Sequence, residues 1–96
     1  MIKEKASEII NHYRVLPQLK YFQSEVFELN EAIIREETKR YFQDTIFNKK
    51  NITEEIADVK FMLTQFQEYY KISDEQIEEI MNFKADRQLK RIEVGE

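Results

Sequence analysis

Apolar residues recur at intervals of three and four positions along most of this chain, which is the period of an amphipathic α-helix. In the segment 17–37 the repeat consists of Leu19, Phe22, Val26, Leu29 and Ile33. In the segment 51–70 it consists of Ile52, Ile56, Val59, Leu63, Phe66 and Tyr70. Each set forms one stripe of a helix, so the pattern predicts two helices that pack stripe to stripe.

The chain before this pair predicts a short N-terminal helix over residues 1–15, with Ile9 and Ile10 on its apolar side. Leu16 precedes Pro17, and a residue before proline is disfavoured in helical dihedral angles, so we expect a break at this point. Because proline suits the first turn of a helix, the second helix is expected to begin at Pro17.

Capping signals mark the starts of the two later helices. Asn51 or Thr53 is the expected N-cap of the third helix. Ser73, with Gln76 three residues later, forms a capping-box sequence ahead of a fourth helix over residues 74–92.

Residues 38–50 interrupt the regular pattern between the paired helices. Tyr41, Phe42, Ile46 and Phe47 have a helical spacing, and a basic, asparagine-rich stretch follows them. We interpret this segment as a variable insertion that is helical in part.

Composition narrows the fold class. With one glycine and one proline in 96 residues, the chain has little turn punctuation, so long helices are expected. A chain of this length forms one domain, residues 1–96, close to the lower size limit for a self-sufficient core. We therefore expect an all-α fold, an antiparallel helical bundle of about four helices whose core is completed by oligomerisation.

Charge and cysteine content exclude several classes of function. The net charge of −4 argues against nucleic acid as a partner, because phosphate-binding surfaces need clustered lysine and arginine. The absence of cysteine removes disulfides and thiolate chemistry. No segment approaches the roughly 20 apolar residues of a membrane span, and no apolar leader follows Met1, so a cytoplasmic protein without a membrane partner is expected.

Two acidic pairs flank the paired stripes. At about 100° per residue, Glu25 and Glu28 lie about 70° and 130° from the first stripe. Glu55 and Asp58 lie about 60° and 120° from the second stripe, on the same side. If the two helices are antiparallel, such equal offsets bring both pairs to one edge. The sequence thus predicts four carboxylates gathered at that edge.

Four neighbouring carboxylates repel one another, and a divalent cation relieves that repulsion. A site made of carboxylate oxygens selects a hard ion, Mg²⁺ or, as an alternative, Mn²⁺. A di-iron site would need Glu-x-x-His on two helices, and His12 is the only histidine. The other interpretation is a solvated acidic face, because 19 of the 96 residues are acidic.

The two acidic motifs, EVFEL at 25–29 and EIADV at 55–59, resemble those of the all-α nucleoside triphosphate pyrophosphohydrolases of the MazG superfamily. Their context adds to the resemblance: Gln18 stands seven residues before Glu25, and the stretches ELNEAI, NITEEIADVKFMLTQ and FKADRQLKRI surround the motifs or follow them. The similarity covers about residues 16–93. The set of motifs resembles that of the short, stand-alone MazG-like proteins common in phages and Gram-positive bacteria.

This resemblance implies a fold and an activity. The activity is Mg²⁺-dependent hydrolysis of a (deoxy)nucleoside triphosphate to the monophosphate and pyrophosphate, a house-cleaning reaction in which metal-activated water attacks the α-phosphate. The motif residues Glu25, Glu28, Glu55 and Asp58 would hold the metal. Glu54 and Glu55 would be catalytic, with Glu54 as the candidate proton acceptor. A homodimer or homotetramer is the expected assembly.

The fourth helix carries further candidates for substrate binding. Lys84, Arg87 and Arg91 share one of its faces and would bind phosphates; alternatively they complement the helix dipole. Asn82, and Gln18 on the second helix, are candidates for contact with the base or sugar. Met62 and Met81 are interpreted as core residues. Stacking on a nucleobase is the alternative for the aromatic residues, but packing in the core is the favoured interpretation for Tyr13, Tyr21 and Phe83.

One position departs from the family pattern. Many family members have a Glu-Glu pair at the first motif, and this chain has Ser24 before Glu25. This departure keeps open a second function, that of a catalytically silent relative that binds a nucleotide or a partner protein. A third function, independent of Ser24, is that of a helical assembly module whose acids solvate one face.

Overall fold

The computed structural model describes residues 1–43 and 48–95. In this part of the chain nearly all residues are helical and no strand occurs. The helices are α1 (Ile2–Tyr13), α2 (Val15–Gln43), α3 (Lys49–Tyr69) and α4 (Asp74–Glu93). The expected all-α fold with about four helices is confirmed.

The break between α1 and α2 falls at Arg14, whose φ of 77° is unusual for a residue with a side chain. Because α2 begins at Val15, Leu16 is helical and Pro17 is the third residue of the helix. The expected exclusion of Leu16 from the helix is therefore wrong. Backbone N–H groups of a first turn have no intrahelical partner, so the missing N–H of Pro17 breaks no hydrogen bond there.

Helices α2 and α3 pack against each other along much of their length. The Gln18 amide donates a hydrogen bond to Gln65 at 2.8 Å, and the Phe22 and Phe66 rings meet edge to face with centroids 5.6 Å apart. At the other end of the pair, Glu36 accepts a hydrogen bond from the backbone of Asn48. Residue numbers rise along α2 as they fall along α3, so the two helices are antiparallel, as expected.

The N-cap of α3 is Asn48, whose side chain accepts a hydrogen bond from the Asn51 N–H at 3.2 Å. The expectation of Asn51 or Thr53 as the cap is wrong, because the helix starts earlier. The Thr53 hydroxyl instead bonds back to the Lys49 carbonyl within the helix. The capping box expected for α4 is confirmed, with both of its hydrogen bonds formed between Ser73 and Gln76.

The segment 38–50 is divided between several elements. Residues 38–43 continue α2, Asn48 caps α3, and residues 49 and 50 belong to α3. Ile46 and Phe47, whose spacing predicts a helix, lie outside the described residues.

The core of the three packed helices is small. Its most buried apolar side chains are Ala6, Ile10, Ala32 and Met62. The inward stripe of α2 also contains polar groups, since Glu25 and Glu36 are buried, while Val26 and Ile33 are 37 % and 40 % exposed. The stripe that faces α3 is therefore rotated from the one that apolarity alone predicted.

Helix α4 extends away from the other three. Its first residue, Asp74, forms an ion pair with Lys3 at 2.8 Å and accepts a hydrogen bond from Gln67 at 2.6 Å. Beyond this anchor, the described residues of α4 pack against none of the other helices. The radius of gyration is 16.8 Å, whereas a compact domain of this length has about 12.5 Å.

The apolar side chains of α4 are accordingly exposed, including Ile80, Met81, Phe83, Leu89 and Ile92. The assignment of Met81 and Phe83 to the core of the chain is wrong, because nothing in the described part of the same chain covers this helix. The assignment of Met62 to the core is confirmed.

None of the helices described is both long and apolar enough to cross a membrane.

Candidate metal centre

Three carboxylates from α2 and α3 converge where these helices pack. Glu25, Glu28 and Glu55 each offer an oxygen atom, and these atoms all lie within 4.8 Å of one another. We call these three residues the acidic cluster. Glu25 is buried, Glu55 is half-buried and Glu28 is exposed. The cluster therefore reaches from the packed interface of the two helices to the surface.

The helical spacing explains this arrangement. Glu25 lies on the inward stripe of α2, three residues after Phe22, which contacts α3. Glu28 lies one turn further on and therefore at the edge of the same face. Glu55 occupies the facing position on α3, because the two helices run antiparallel. The expected convergence of the two acidic motifs is thus present for three of the four residues.

Asp58, the fourth predicted ligand, lies beside the acidic cluster without belonging to it. Its negative charge contributes to the raised pKa of both Glu25 and Glu55. Its side chain is exposed, and the residue lines the cleft described below. Its assignment as a metal ligand stays a prediction.

Burial and mutual repulsion both act on the acidic cluster. Burial is the main cause of the raised pKa of Glu25, with further contributions from the charges of Asp58, Glu28 and Glu55. Burial is also the largest cause of the raised pKa of Glu55, and the negative charges of Glu28 and Asp58 raise it further. The protein therefore holds these carboxylates together at an electrostatic cost.

Two residues moderate that cost. The Tyr21 hydroxyl forms a hydrogen bond with the Glu25 carboxylate, which works against the rise in the pKa of Glu25. The positive charge of Arg35 acts in the same sense on the pKa of Glu55. Sequence reasoning missed Arg35 because its spacing from the motifs carries no signal of its own. Tyr21 was assigned to the core, yet it is more than half exposed.

Two oxygen atoms of the acidic cluster lack any hydrogen-bond partner. They are Oε2 of Glu25 and Oε2 of Glu55, and both are buried. A buried carboxylate oxygen without a donor is costly, and a bound cation removes that cost. The donor set consists of carboxylate oxygens alone, which fits Mg²⁺ or Mn²⁺ better than zinc. The residues present therefore fit a hard divalent cation.

Glu54 and Ser24 lie next to the acidic cluster in sequence and are both exposed. The charge of Glu54 contributes to the raised pKa of Glu55, so Glu54 is electrostatically coupled to the site. Ser24 shares a shallow hollow with Lys20 and Glu28 on the outer side of α2.

A cleft of about 510 Å³ opens beside the acidic cluster, where α1, α2 and α3 meet. Its lining includes Glu25 and Asp58 and three aromatic side chains, Tyr13, Tyr21 and Phe61. The assignment of Tyr13 and Tyr21 to the core is wrong, because both are 56 % exposed and face this opening. The volume lies in the range of about 300–1,000 Å³ that is typical of small-molecule sites.

Gln18, predicted to bind substrate, lines the same cleft together with Gln65. Gln65 is only 2 % exposed, although it is polar. Besides accepting the hydrogen bond from Gln18, its amide nitrogen lies 3.5 Å from the sulfur of Met62. Sequence reasoning missed Gln65; the available signal was a glutamine inside the apolar stretch FMLTQF.

The remaining predicted substrate-binding residues lie on α4. Asn82, Lys84, Arg87 and Arg91 are exposed, and within one chain α4 does not bring them into contact with α2 or α3. The Arg87 guanidinium lies over the Phe83 ring, 5.9 Å from its centroid. Their role with phosphates stays a prediction.

Comparison with known protein families, with curated proteins and with solved structures gave no match to this chain. The function is therefore inferred from the chemistry of the acidic cluster and its cleft.

Proposed function

We propose that this chain is a Mg²⁺-dependent nucleoside triphosphate pyrophosphohydrolase that converts a (deoxy)nucleoside triphosphate to the monophosphate and pyrophosphate. The observation that carries the proposal is the acidic cluster with its two buried, unpartnered oxygens on Glu25 and Glu55. The likeness of the two motifs to those of MazG-like enzymes supports the same activity.

Each residue then has a defined task. Glu25, Glu28 and Glu55, with Asp58 beside them, hold the cation. A divalent cation in such a site neutralises phosphate charge and lowers the pKa of water. Tyr21 orients Glu25 through its hydrogen bond, and the exposed Glu54 accepts a proton at its carboxylate.

The partner in this proposal is a second copy of the chain, in a homodimer or homotetramer. The exposed apolar residues of α4 support association. In such an assembly Lys84, Arg87 and Arg91 of one copy would reach the phosphates held by another, since in the described part of one chain α4 does not pack against α2 or α3.

The test is pyrophosphate release from a panel of ribo- and deoxyribonucleoside triphosphates, with Mg²⁺ and with EDTA. We expect release that requires Mg²⁺ and falls at least a hundredfold in Glu55→Gln and in Asp58→Asn. The matched control is Glu78→Gln, the same change at an exposed position of α4, and it should retain full activity. Absence of release from every triphosphate contradicts the proposal.

An assembly module is the second candidate, favoured by the exposed apolar side of α4. Thermal unfolding with and without Mg²⁺ separates the two. A metal-dependent enzyme gains melting temperature with Mg²⁺, and this gain disappears in Glu55→Gln. An assembly module shows the same melting temperature with and without Mg²⁺.

A further inference from the structure

The cleft beside the acidic cluster is lined by side chains of two kinds, aromatic rings and amides. Tyr13, Tyr21 and Phe61 contribute aromatic surface to the walls. Among the residues that the structure describes, no lysine or arginine lines the cleft. Such a lining suits a flat, uncharged ring. Aromatic side chains stack on a heteroaromatic ring whatever hydrogen-bond donors and acceptors that ring carries.

The lining of the cleft also includes a pair of amides, those of Gln18 and Gln65. Gln65 is one of the two largest fully buried side chains of the described residues, and its carbonyl oxygen accepts from the Gln18 amide at 2.8 Å. Burial of an amide is favourable only when its hydrogen bonds are made. The remaining acceptor for the Gln65 amide nitrogen is the Met62 sulfur at 3.5 Å, and a thioether is a weak acceptor.

A buried amide with a weak partner is available to a ligand. Together Gln65 and Gln18 present both N–H donors and a carbonyl acceptor, the combination that the edge of a nucleobase matches. Because Glu25 and Asp58 line the same cleft, a ring held there would stand next to the acidic cluster. The charged part of the same molecule would then lie at the cluster.

We propose that the cleft holds the nucleobase of the substrate and that Gln65, positioned by Gln18, is the residue that determines which base is preferred. The assignment rests on the proposed function, because the base belongs to the nucleotide whose phosphates meet the acidic cluster. Gln65 is a specificity-determining residue in this arrangement, and Tyr13 and Tyr21 supply stacking that is common to all bases.

Binding of nucleosides without metal tests the cleft independently of hydrolysis. Adenosine, guanosine, cytidine, uridine and thymidine are titrated in EDTA, and binding is followed by NMR shifts of the residues lining the cleft. We expect the wild-type chain to prefer one base over the weakest by roughly tenfold to a hundredfold. The variant Gln65→Met, similar in size but without the amide, should bring this ratio close to one.

Two further variants make the result specific. Gln18→Met removes the partner of Gln65 at a half-buried position, and it should weaken the preference in the same way. Gln23→Met makes the same chemical change at an exposed position of α2 outside the cleft, and it should leave the preference intact. Thermal unfolding confirms that each variant is folded.

The outcomes separate this assignment from the hydrolytic function. Base preference without pyrophosphate release means that the cleft is assigned correctly and the hydrolase is not. If pyrophosphate is released and the ratio of kcat/KM between triphosphates with different bases is the same in Gln65→Met and Gln18→Met as in the wild type, the assignment of the cleft is overturned. The proposed hydrolase activity then still stands. Nucleosides that bind equally, or cause no shifts at the cleft, overturn it as well.

Discussion

Glu25 is a carboxylate at a position where helix packing would favour an apolar side chain. It is 6 % exposed, one of its oxygens has no hydrogen-bond partner, and neighbouring negative charges add to the rise in its pKa. A side chain under these conditions lowers the stability of the metal-free protein. A bound cation would offset this loss of stability, which is the reason we propose for a carboxylate at this position.

Replacement of Glu25 by glutamine tests this account. Glu25→Gln removes the buried charge while keeping the shape, so the metal-free variant should melt at a higher temperature than the wild type. The wild type should gain about 2.7 kcal/mol when Mg²⁺ is present at about one hundred times its Kd, and the variant should gain nothing. Thermal unfolding in EDTA and in Mg²⁺ measures both effects.

Glu78→Gln provides the control, since it removes an exposed charge from α4. It should keep the response to Mg²⁺ unchanged. A Glu25→Gln protein that is still stabilised by Mg²⁺ as strongly as the wild type would exclude Glu25 as a ligand.

Glu36 is a second buried carboxylate, and its pKa is shifted in the opposite direction. The hydrogen bond from the Asn48 backbone is the first cause of its lowered pKa, and Lys39 contributes further. A carboxylate with a lowered folded-state pKa stabilises the protein above its unfolded pKa of about 4.3 and loses that effect as pH falls through the folded-state pKa. Glu36 thereby fastens the start of α3 to α2.

The pH dependence of stability follows from this sign. At pH 7 Glu36→Gln should melt below the wild type, because the amide accepts the Asn48 N–H less strongly than a carboxylate does. The difference should shrink below about pH 4, as the wild-type carboxyl becomes protonated. Melting temperatures of both proteins between pH 3 and pH 7 measure it. A difference that stays constant with pH would show that Glu36 acts through packing alone.

At the scale of the element, α3 ends in a motif that usually contains glycine. The Ile72 N–H bonds to the Gln67 carbonyl and the Lys71 N–H to the Glu68 carbonyl, which is the Schellman pattern. Lys71 occupies the left-handed position, with φ of 56°. A residue with a Cβ atom is strained in this conformation, whereas glycine is not.

Lys71→Gly should therefore raise the free energy of unfolding by about 0.5–1 kcal/mol. The matched control is Lys60→Gly, the same substitution at an exposed position inside α3, which should lower it by about 1 kcal/mol. Urea unfolding of the two variants measures both changes. Equal destabilisation by the two substitutions would argue against the left-handed conformation at Lys71.

Helices α2 and α3 also illustrate how far the sequence predicts a fold. Their existence, type and antiparallel pairing follow from the three- and four-residue repeat. The orientation of α2 does not, because Val26 and Ile33 offer an apolar stripe that the chain leaves partly exposed. The stripe that packs instead includes Glu25, Ala32 and Glu36, and a pattern based on apolarity cannot assign carboxylates to an inward face.

The candidate site was predictable to a similar degree. The spacing of the two motifs predicted the convergence of Glu25, Glu28 and Glu55, because residues one turn apart on antiparallel helices share an edge. The cleft was not predictable, since it depends on how α1 is placed across the other two helices. Gln65 was missed for the same reason: a single glutamine signals burial only when the neighbouring helix is known.

At the scale of the whole molecule, three of the described helices pack together and the fourth does not. Helices α1, α2 and α3 form a body, and α4 extends from it with exposed apolar side chains, among them Ile80, Leu89 and Ile92. An isolated chain rarely leaves so much apolar helix surface in water. Association of copies through α4 is the expected way to cover it.

We expect the wild-type chain to form an oligomer and the double variant Ile80→Glu and Leu89→Glu to be a monomer, since charges are costly in a buried interface. Sedimentation velocity over a range of concentrations measures the change. The control is Lys90→Glu, which places the same acidic side chain at an exposed position on the side of α4 opposite to most of its apolar residues and should leave the assembly intact. A wild-type chain that sediments as a monomer at every concentration would contradict the prediction.

The anchor of α4 has a consequence for how the chain acquires its final conformation. Asp74 is held by Lys3 and Gln67, and the helix beyond it packs against no other helix in the part of the chain that the structure describes. In proteins most of the stability of a helix comes from the packing of its apolar face against other elements. Because the association of copies proposed above is what would cover α4, we expect its order to depend on protein concentration: upon dilution its amide protons should lose their protection against solvent exchange, while those of α3 should keep theirs.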